Sequence, residues 1–308
     1  MHRKDIITML DITATDVWKI FKITDSLIQK KISMEDYTPL KGKSVALIFQ
    51  KPSTRTRVSF EVGIGQLGGQ PIYLSPEEVG LGVRESIPDV ARVLSRYTSA
   101  IVARTFSHED MEILAKFATV PVISGLSDLF HPCQILADIY TIWKHKGSVV
   151  DVTLAYIGDG SNNVAQSLIV GCAIMGMNIS IASPLNYPPN QSILDKARDI
   201  ALKTGSRIEI FSEPSQAALG ADVLYADVWT SMGQEAETKT RKEFFNNYQI
   251  NNALIEMANK DCLVMHCLPA HRGEEITNDA IEGPNSIVFE QAENRLHVQK
   301  GILVFLMC

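Results

Sequence analysis

Short apolar runs alternate with helix-like segments along almost the whole of this 308-residue chain. The run Ser44–Phe49 is an unbroken apolar stretch of the kind found in strands buried on both faces of a sheet. Between most such runs, apolar residues recur every three or four positions, which predicts helices. This order predicts an α/β fold of parallel sheets covered by helices. The predicted strands are 44–49, 71–74, 100–104, 120–124, 152–157, 178–182, 207–211, 223–226 and 263–266.

The length of the chain suggests about two domains of ~150 residues each. The polar segment 145–151 interrupts a helical pattern, and we place the domain division there. We expect each domain to be a mostly parallel sheet flanked by helices, with interdomain helices joining the two. The predicted domains are residues 1–148 and 149–291. Residues 292–308 form a predicted C-terminal helix that packs back on the first domain.

Charge and cysteine content exclude several classes of protein. A net charge of -6 argues against binding of nucleic acid through a broad positively charged surface. No stretch approaches the ~20 apolar residues that span a bilayer, and the first apolar run is too short for a signal peptide. The five cysteines are an odd set without Cys-x-x-Cys spacing, which predicts neither disulfides nor a zinc site. We therefore expect a cytoplasmic protein with no metal, cofactor, nucleic-acid partner or membrane partner.

The strongest local signal is the segment Phe49-Gln50-Lys51-Pro52-Ser53-Thr54-Arg55-Thr56-Arg57. Pro52 ends a predicted strand, and Ser53 and Thr54 stand where the N-cap of the next helix is expected. A helix N-terminus attracts anions through its unpaired N–H groups and its dipole. Arginine adds a planar fork that matches phosphate oxygens. A capped surface helix with solvated arginines is the alternative, but the combination of strand, break, cap and paired arginines favours an anion site.

At this point the sequence resembles the aspartate/ornithine carbamoyltransferase family. The family's carbamoyl phosphate loop, Ser-Thr-Arg-Thr, is matched by Ser53, Thr54, Arg55 and Thr56. Its His-Pro-x-Gln motif appears as His131-Pro132-Cys133-Gln134. Arg104 matches a strand-end arginine of the family, and Arg295 matches the arginine that completes the carbamoyl phosphate site. The resemblance spans nearly the whole chain, and its motifs fall in family order.

The resemblance gives these residues chemical roles. Attack on a carbamoyl carbon places negative charge on the carbonyl oxygen. Arg104, His131 and Thr56 are expected to donate hydrogen bonds to that oxygen, as an oxyanion hole does. Gln134 is expected to accept a hydrogen bond from the carbamoyl NH2 group and so to fix its orientation.

A second group of motifs lies in the predicted second domain. Gly158-Asp159-Gly160-Ser161-Asn162-Asn163 follows a predicted strand, as a dinucleotide-binding loop does. It lacks the third glycine at the required spacing, and no acidic ribose partner is evident ~20 residues on, so a dinucleotide site is not favoured. In the ornithine branch of the family, the residue that matches Asn163 contacts the amino-acid end of the substrate.

Two further motifs resemble the ornithine branch. Asp227-Val228-Trp229-Thr230-Ser231-Met232-Gly233 matches its Asp-x-x-x-Ser-Met-Gly signature. The resemblance implies that Asp227 pairs with the α-ammonium of ornithine, and that Ser231 and Met232 hold the same end. His266-Cys267-Leu268-Pro269 replaces the His-Pro-Leu-Pro that is usual in aspartate enzymes. The resemblance implies that Cys267 lies beside the δ-amine as a contact or proton handler, and that Cys267 and Leu268 contact carbamoyl phosphate.

Taken together, the resemblance implies four catalytic residues, Arg104, His131, Asp227 and Cys267. The implied reaction is direct attack by the δ-amine of L-ornithine on carbamoyl phosphate, giving L-citrulline and phosphate. A covalent acyl-enzyme is not expected, because direct attack does not require one. Arginine biosynthesis and a homotrimer, or an assembly of trimers, are implied as well.

Three alternatives stay open at the level of sequence. An aspartate enzyme would need extra positive charge in the second domain, where Asp227 stands instead. A putrescine enzyme would make no use of the Ser-Met-Gly signature, because putrescine has no α-carboxylate. A catalytically silent homologue would bind its ligands without turnover, although His131, Gln134 and Cys267 are all present.

The loop 75–85 departs from the family pattern. Gly80 stands where a Gln or His commonly reaches the active site of a neighbouring subunit, and glycine cannot make that contact. Together with Gly82 it suggests a mobile segment that closes over substrate.

Overall fold

The computed structural model describes residues 5–29, 37–230 and 235–308. The chain divides into two compact units. The first comprises Met1–Tyr140 and Asn294–Cys308, and the second comprises Thr141–Glu293. The predicted division at 145–151 lies a few residues further along the chain than this boundary, and the predicted domain limits stay predictions.

The first unit contains a sheet of four parallel strands in the order β2-β1-β3-β4. The strands are β1 (Ser44–Phe49), β2 (Gln70–Leu74), β3 (Ala100–Arg104) and β4 (Val122–Leu126). Strand β4 begins two residues later than predicted because Pro121 precedes it and has no N–H group for the ladder. Pro71 is accommodated within β2, which is an edge strand.

Helices connect these strands and carry side-chain caps at several N-termini. Thr13 and Asp16 form a capping box, since each backbone N–H donates to the other residue's side chain. The helices of this part are α1 (Ala14–Gln29), α2 (Thr54–Gln66), α3 (Pro76–Val79), α4 (Ile87–Tyr97) and α5 (His108–Phe117). Helix α6 (Pro132–Lys146) then carries the chain from the first unit into the second.

The second unit contains a sheet of five parallel strands in the order β7-β6-β5-β8-β9. The strands are β5 (Thr153–Ile157), β6 (Asn178–Ala182), β7 (Ile208–Phe211), β8 (Val223–Ala226) and β9 (Leu263–His266). The helices are α7 (Asn163–Met175), α8 (Gln191–Thr204), α9 (Pro214–Ala218), α10 (Thr238–Phe245), α11 (Asn252–Met257) and α12 (Asn278–Glu282). Helix α13 (Val288–Met307) starts four residues before the predicted position, and its part from Asn294 onward belongs to the first unit.

Each unit has its own apolar core on its sheet. In the first unit, Ala46, Ile101 and other strand residues pack against α4 and α5 through residues such as Val90 and Met111. In the second, Ala155, Leu224 and Val264 pack against helices that contribute residues such as Phe245. Full burial of one Leu or Phe side chain stabilises a fold by roughly 1.5–3 kcal/mol. These cores therefore hold the strand ends, on which the candidate site is built, in fixed positions.

The predicted α/β class, with two parallel sheets flanked by helices, is confirmed. Over the part of the chain that the structure describes, no helix has the length and apolar character needed to cross a membrane.

Candidate active site

The predicted anion-binding residues meet at the carboxyl edge of the first sheet. Strands β1 and β3 are parallel neighbours, with Phe49 paired with Arg104 at their ends. Strand β4 lies beside β3, and the chain that leaves it leads to His131. Ligands of open α/β sheets bind outside the carboxyl ends of the strands. The loop after β1, the end of β3 and the start of α6 therefore share one edge where a ligand is expected.

The N-terminus of α2 is built as the sequence predicts. Ser53 is its N-cap, and the Oγ of Ser53 accepts a hydrogen bond from the backbone N–H of Thr56 at 3.3 Å. Thr54 and Arg55 are exposed in the first turn, whereas the Thr56 side chain is buried. The exposed part of this turn offers backbone donors and a guanidinium group to an anion.

Helix α13 supplies a second guanidinium group to this edge. The Nη2 of Arg295 donates to the Oγ1 of Thr56 at 3.0 Å, although the two residues are far apart in sequence. Burial, followed by the positive charges of Arg295 and Arg55, lowers the pKa of the neighbouring Arg104 to about 10. The positive charges of Arg295 and Arg55 disfavour the charged form of Arg104, and a bound anion would offset this effect.

His131 lies within the same cluster of cations and is buried. Its pKa is well below the ordinary value, first because of burial and then because of Arg295, Arg104 and Arg55. The imidazole is therefore neutral at physiological pH. A neutral imidazole still donates one N–H, which suits it to bind an oxyanion rather than to carry a proton.

Gln134 lies in the first turn of α6 and is also buried. Its Nε2 donates to the Oδ1 of Asp138 at 2.8 Å. Sequence reasoning missed Asp138, although the i, i+4 spacing of the two residues on one helix was a usable signal.

The predicted amine-binding residues lie at the carboxyl edge of the second sheet. Strand β8 is flanked by β5 and β9, and all three are parallel. The chain reaches Asp227 directly after β8 and Cys267 directly after β9, while Asn162 follows β5 and caps α7. Three neighbouring strand ends thus bring these polar side chains together.

Asp227 is the centre of this half of the site and is largely buried. Its Oδ1 accepts hydrogen bonds from the Sγ of Cys267 at 2.9 Å and from the backbone N–H of Val228 at 2.8 Å. Its Oδ2 accepts from the Nδ2 of Asn162 at 2.9 Å. The carboxylate is held in one orientation, as a group that binds a substrate ammonium must be.

The resemblance assigned a substrate contact to Asn163. Its neighbour Asn162 makes the hydrogen bond to Asp227. Asn163 is the first residue of α7 and is partly exposed, and its predicted contact with substrate stays a prediction. Ser231 and Met232, predicted to hold the amino-acid end of ornithine, lie outside the described residues.

A buried His–Glu pair supports the segment that follows Cys267. The Nδ1 of His266 accepts from the backbone N–H of Leu268 at 2.8 Å, and its Nε2 lies 3.1 Å from the Oε1 of Glu275. Because Nδ1 accepts, the ring proton is on Nε2 and is donated to Glu275. Leu268 has a φ of 59°, a left-handed value that is uncommon for a residue other than glycine. The pair therefore holds Leu268 in a strained conformation of the type found at functional sites.

Asp159 forms an ion pair that the sequence did not indicate. Its Oδ2 accepts from both Nη1 and Nη2 of Arg241 at 2.9 Å, and both side chains are buried. This pair joins the loop before α7 to helix α10. A pair separated by so many residues leaves no local pattern in the sequence.

The loop 75–85 contains the short helix α3, which begins with a capping box between Ser75 and Glu78. Gly80 ends it with a left-handed φ of 52°. A Cβ built on Gly80 would lie 2.6 Å from the Cβ of Arg84. A residue with a Cβ would be strained at this position, and glycine avoids the strain.

Within the described residues, His271, Glu274 and Glu275 come close enough to form a possible metal-binding group. Glu274 forms an ion pair with Lys242, and Glu275 accepts the hydrogen bond from His266. These carboxylates already have protein partners, and we assign no metal to them.

Comparison with known proteins places both halves of the chain in one family. Residues 4–144 match the model for the carbamoyl-P binding domain of aspartate/ornithine carbamoyltransferase, and residues 150–306 match the model for its Asp/Orn binding domain. The chain is 48% identical over 305 residues to the anabolic ornithine carbamoyltransferase of Pyrococcus furiosus, covering 99% of this chain and 96% of that protein.

Two further comparisons agree. The chain is 49% identical over 304 residues to the ornithine carbamoyltransferase of Anoxybacillus flavithermus, covering 99% of this chain and 96% of that protein. A solved structure of ornithine carbamoyltransferase from Pyrococcus furiosus superposes with a TM-score of 0.95 at 48% identity, covering 99% of this chain and 97% of that one.

Proposed function

The chain belongs to the aspartate/ornithine carbamoyltransferase family, and from that premise we propose that it transfers the carbamoyl group of carbamoyl phosphate to the δ-amine of L-ornithine. The products are L-citrulline and phosphate. The observation that carries the choice of ornithine is Asp227, a buried carboxylate oriented by Asn162 and Cys267 at the carboxyl edge of the second sheet. The relatives named above are ornithine carbamoyltransferases, which supports the same choice.

In this proposal each unit supplies most of the binding residues for one substrate. The first unit binds carbamoyl phosphate, because it carries the helix N-terminus at Ser53 and the buried guanidinium groups. The second unit binds ornithine, because it carries Asp227. The proposed carbamoyl phosphate-binding domain is residues 1–148, and the proposed ornithine-binding domain is residues 149–291. Residues 292–308 are the proposed helix that packs back on the first domain.

The phosphate group is bound by the first turn of α2. Ser53, Thr54, Arg55 and Thr56 offer backbone and side-chain donors, and Arg295 reaches the same place through Thr56. The positive field of the arginines stabilises the phosphate as its bond to the carbamoyl carbon breaks. Hydrogen-bond donors that are already positioned before the reaction stabilise the charge that develops in the transition state, and this is usually the largest single contribution to catalysis.

The carbamoyl group is polarised by Arg104, His131 and Thr56. The Nε of Arg104 is buried and has no hydrogen-bond partner in the part of the chain that the structure describes. A buried donor of this kind is satisfied by a ligand oxygen. Gln134 accepts from the carbamoyl NH2, and Cys267 and Leu268 provide further contacts to the same substrate.

Ornithine is held through its amino-acid end. Asp227 accepts from the α-ammonium, and Asn163, Ser231 and Met232 contact the same end. The δ-amine gives up its extra proton, attacks the carbamoyl carbon and forms a tetrahedral intermediate. The C–O bond to phosphate then breaks, and the nitrogen loses a second proton to leave neutral citrulline. Cys267 lies beside the δ-amine as a hydrogen-bonding group and forms no covalent bond with substrate.

Location and assembly are part of the proposal. We place the chain in the cytoplasm, in arginine biosynthesis, as a homotrimer or an assembly of trimers. The word anabolic in the name of the Pyrococcus furiosus relative supports the biosynthetic direction. Light scattering after size-exclusion chromatography tests the assembly, because a trimer has three times the chain mass of 34.0 kDa.

The experiment that tests the reaction is carbamoyl transfer by the purified protein with ornithine, aspartate and putrescine as parallel acceptors. We expect ornithine-dependent turnover. Preference for aspartate or putrescine would contradict the role of Asp227 but leave the phosphate site intact. Binding of carbamoyl phosphate without turnover of any acceptor would favour the silent homologue.

A further inference from the structure

Gln134 and Asp138 form a buried pair one helical turn apart on α6. The exposed fraction of Gln134 is 1% and that of Asp138 is 0%. The Nε2 of Gln134 lies 2.8 Å from the Oδ1 of Asp138. Both residues belong to the first unit, which also contains Ser53, Arg104 and Arg295.

The carboxylate decides which way the Gln134 amide points. An ionised carboxylate only accepts hydrogen bonds, so the NH2 end of the amide must face it. The carbonyl Oε1 of Gln134 is thereby turned away from Asp138. That oxygen is buried and has no hydrogen-bond partner in the described parts of the chain. Buried acceptors are nearly always satisfied, so Oε1 is the acceptor for a ligand group.

The orientation matters because carbamoyl and acetyl groups differ in their donors. A carbamoyl group carries an NH2 that donates hydrogen bonds, whereas an acetyl group of almost the same shape carries a methyl. Facing Oε1, the methyl would leave a buried acceptor unsatisfied, and sites built to hydrogen-bond a substrate reject such analogues strongly. If the amide were reversed, its NH2 would face the carbamoyl NH2, donor against donor.

We infer that Asp138 is a positioning residue that gives the site its selectivity for carbamoyl phosphate over other acyl phosphates. It acts through Gln134, whose amide it holds with Oε1 toward the ligand. The inference rests on the proposed function, because it assumes that Gln134 meets the carbamoyl NH2. It concerns only the first substrate and does not depend on which amine is the acceptor.

The experiment measures dissociation constants of carbamoyl phosphate, acetyl phosphate and inorganic phosphate for the full chain by calorimetry. We expect the wild type to prefer carbamoyl phosphate over acetyl phosphate, and Asp138→Leu to lower that preference by about tenfold or more. Gln134→Ala should lower it similarly, and the double variant should lower it no further. Inorganic phosphate should bind all variants within about twofold of the wild type, because Ser53 and the residues that follow it are unchanged.

Cys133→Ala is the matched control. Cys133 is buried in the same turn of α6, but its Sγ contacts the backbone oxygen of Ser124 rather than Gln134. This variant should keep the wild-type preference. Asp138→Asn is a more conservative substitution, because the amide oxygen of the asparagine can still accept a hydrogen bond from Gln134. This variant should keep part of the preference for carbamoyl phosphate.

Two results would overturn the inference. One is a wild type without preference between carbamoyl phosphate and acetyl phosphate, which requires no variant to be folded. The other is an unchanged preference in Asp138→Leu, or additive losses in the double variant. Failure of ornithine turnover with the carbamoyl preference intact would count against the proposed function alone.

Discussion

The Sγ of Cys267 donates to the Oδ1 of Asp227 at 2.9 Å, between residues that follow two neighbouring strands of the second sheet. The contact fixes the thiol beside the carboxylate and uses it as a donor rather than as an attacking group. It also explains why a cysteine here fits a reaction that proceeds without an acyl-enzyme. Serine can replace this donor, whereas alanine cannot.

The first prediction concerns this thiol. Cys267→Ala should raise the KM for ornithine about tenfold or more, because a hydrogen bond to a charged group is lost. Cys267→Ser should retain more of the wild-type efficiency, since its hydroxyl still donates to Asp227. Steady-state kinetics of both variants check this. A carbamoyl adduct on Cys267, found by mass spectrometry after incubation with carbamoyl phosphate, would contradict a non-covalent role.

The second prediction concerns the carboxylate itself. Asp227→Asn should raise the KM for ornithine by about thirtyfold or more and leave the Kd of carbamoyl phosphate unchanged. Asp222→Asn is a matched control, because Asp222 precedes the same strand at its opposite end and accepts from Thr153 and Asn259. The control should alter stability without a selective loss of ornithine binding. Equal losses for both substrates in Asp227→Asn would mean that the carboxylate serves the fold and not the amine.

The third prediction concerns the three arginines. Phosphate at about 100 times its Kd should stabilise the wild type by about 2.7 kcal/mol, because it binds the folded state only. Arg104→Met should lose most of this stabilisation. Its Tm without phosphate should equal or exceed that of the wild type, because the buried charge and its repulsion by Arg295 and Arg55 are removed. Differential scanning calorimetry measures both quantities, and a lower ligand-free Tm would speak against mutual repulsion.

The fourth prediction follows from the lowered pKa of His131. At a pH below 6.5, the ordinary pKa of histidine, the unfolded chain binds a proton at His131 and the folded chain does not. The wild type should therefore lose stability relative to His131→Asn as the pH falls below 6.5, by up to about 1.4 kcal/mol per pH unit. Urea unfolding of both proteins between about pH 5 and pH 8 checks the trend. A stability difference that stays constant over this range would show that His131 titrates normally.

The fifth prediction concerns Gly80. Gly80→Ala should destabilise the loop by roughly 1–2 kcal/mol from the left-handed φ alone, in addition to the close contact with Arg84. Gly65→Ala is the control, because Gly65 lies in α2 with open space around it and a helical Ala is favoured by about 1 kcal/mol. Hydrogen exchange of the loop 75–85 measures the effect. Equal exchange in Gly80→Ala and wild type would show that the loop adopts another conformation.

The sequence predicted most of the architecture because buried parallel strands are continuous apolar runs. Strands 100–104, 178–182, 223–226 and 263–266 have the predicted limits. Errors arose where a boundary depends on a single backbone group, as at Pro121 before β4. The start of α13 was also misplaced, because Val288 begins the helix while packing in the core of the second unit.

The candidate site was predictable where its residues stand in local motifs at strand ends, as Ser53, Arg104 and Asp227 do. Residues that act through a second side chain were missed. Asn162, Arg241 and Glu275 acquire their roles through partners that only folding brings near. Asp138 was the exception that helical spacing could have revealed.

The most direct test of the proposed function follows the transferred atoms. Purified protein is mixed with carbon-13 carbamoyl phosphate and ornithine labelled with nitrogen-15 at the δ position, and the products are observed by NMR. We expect a new carbon signal split by direct coupling to the labelled nitrogen, together with release of an equal amount of phosphate. Phosphate release without that coupled signal, or a coupled signal at the α-nitrogen when the label is placed there, would contradict it.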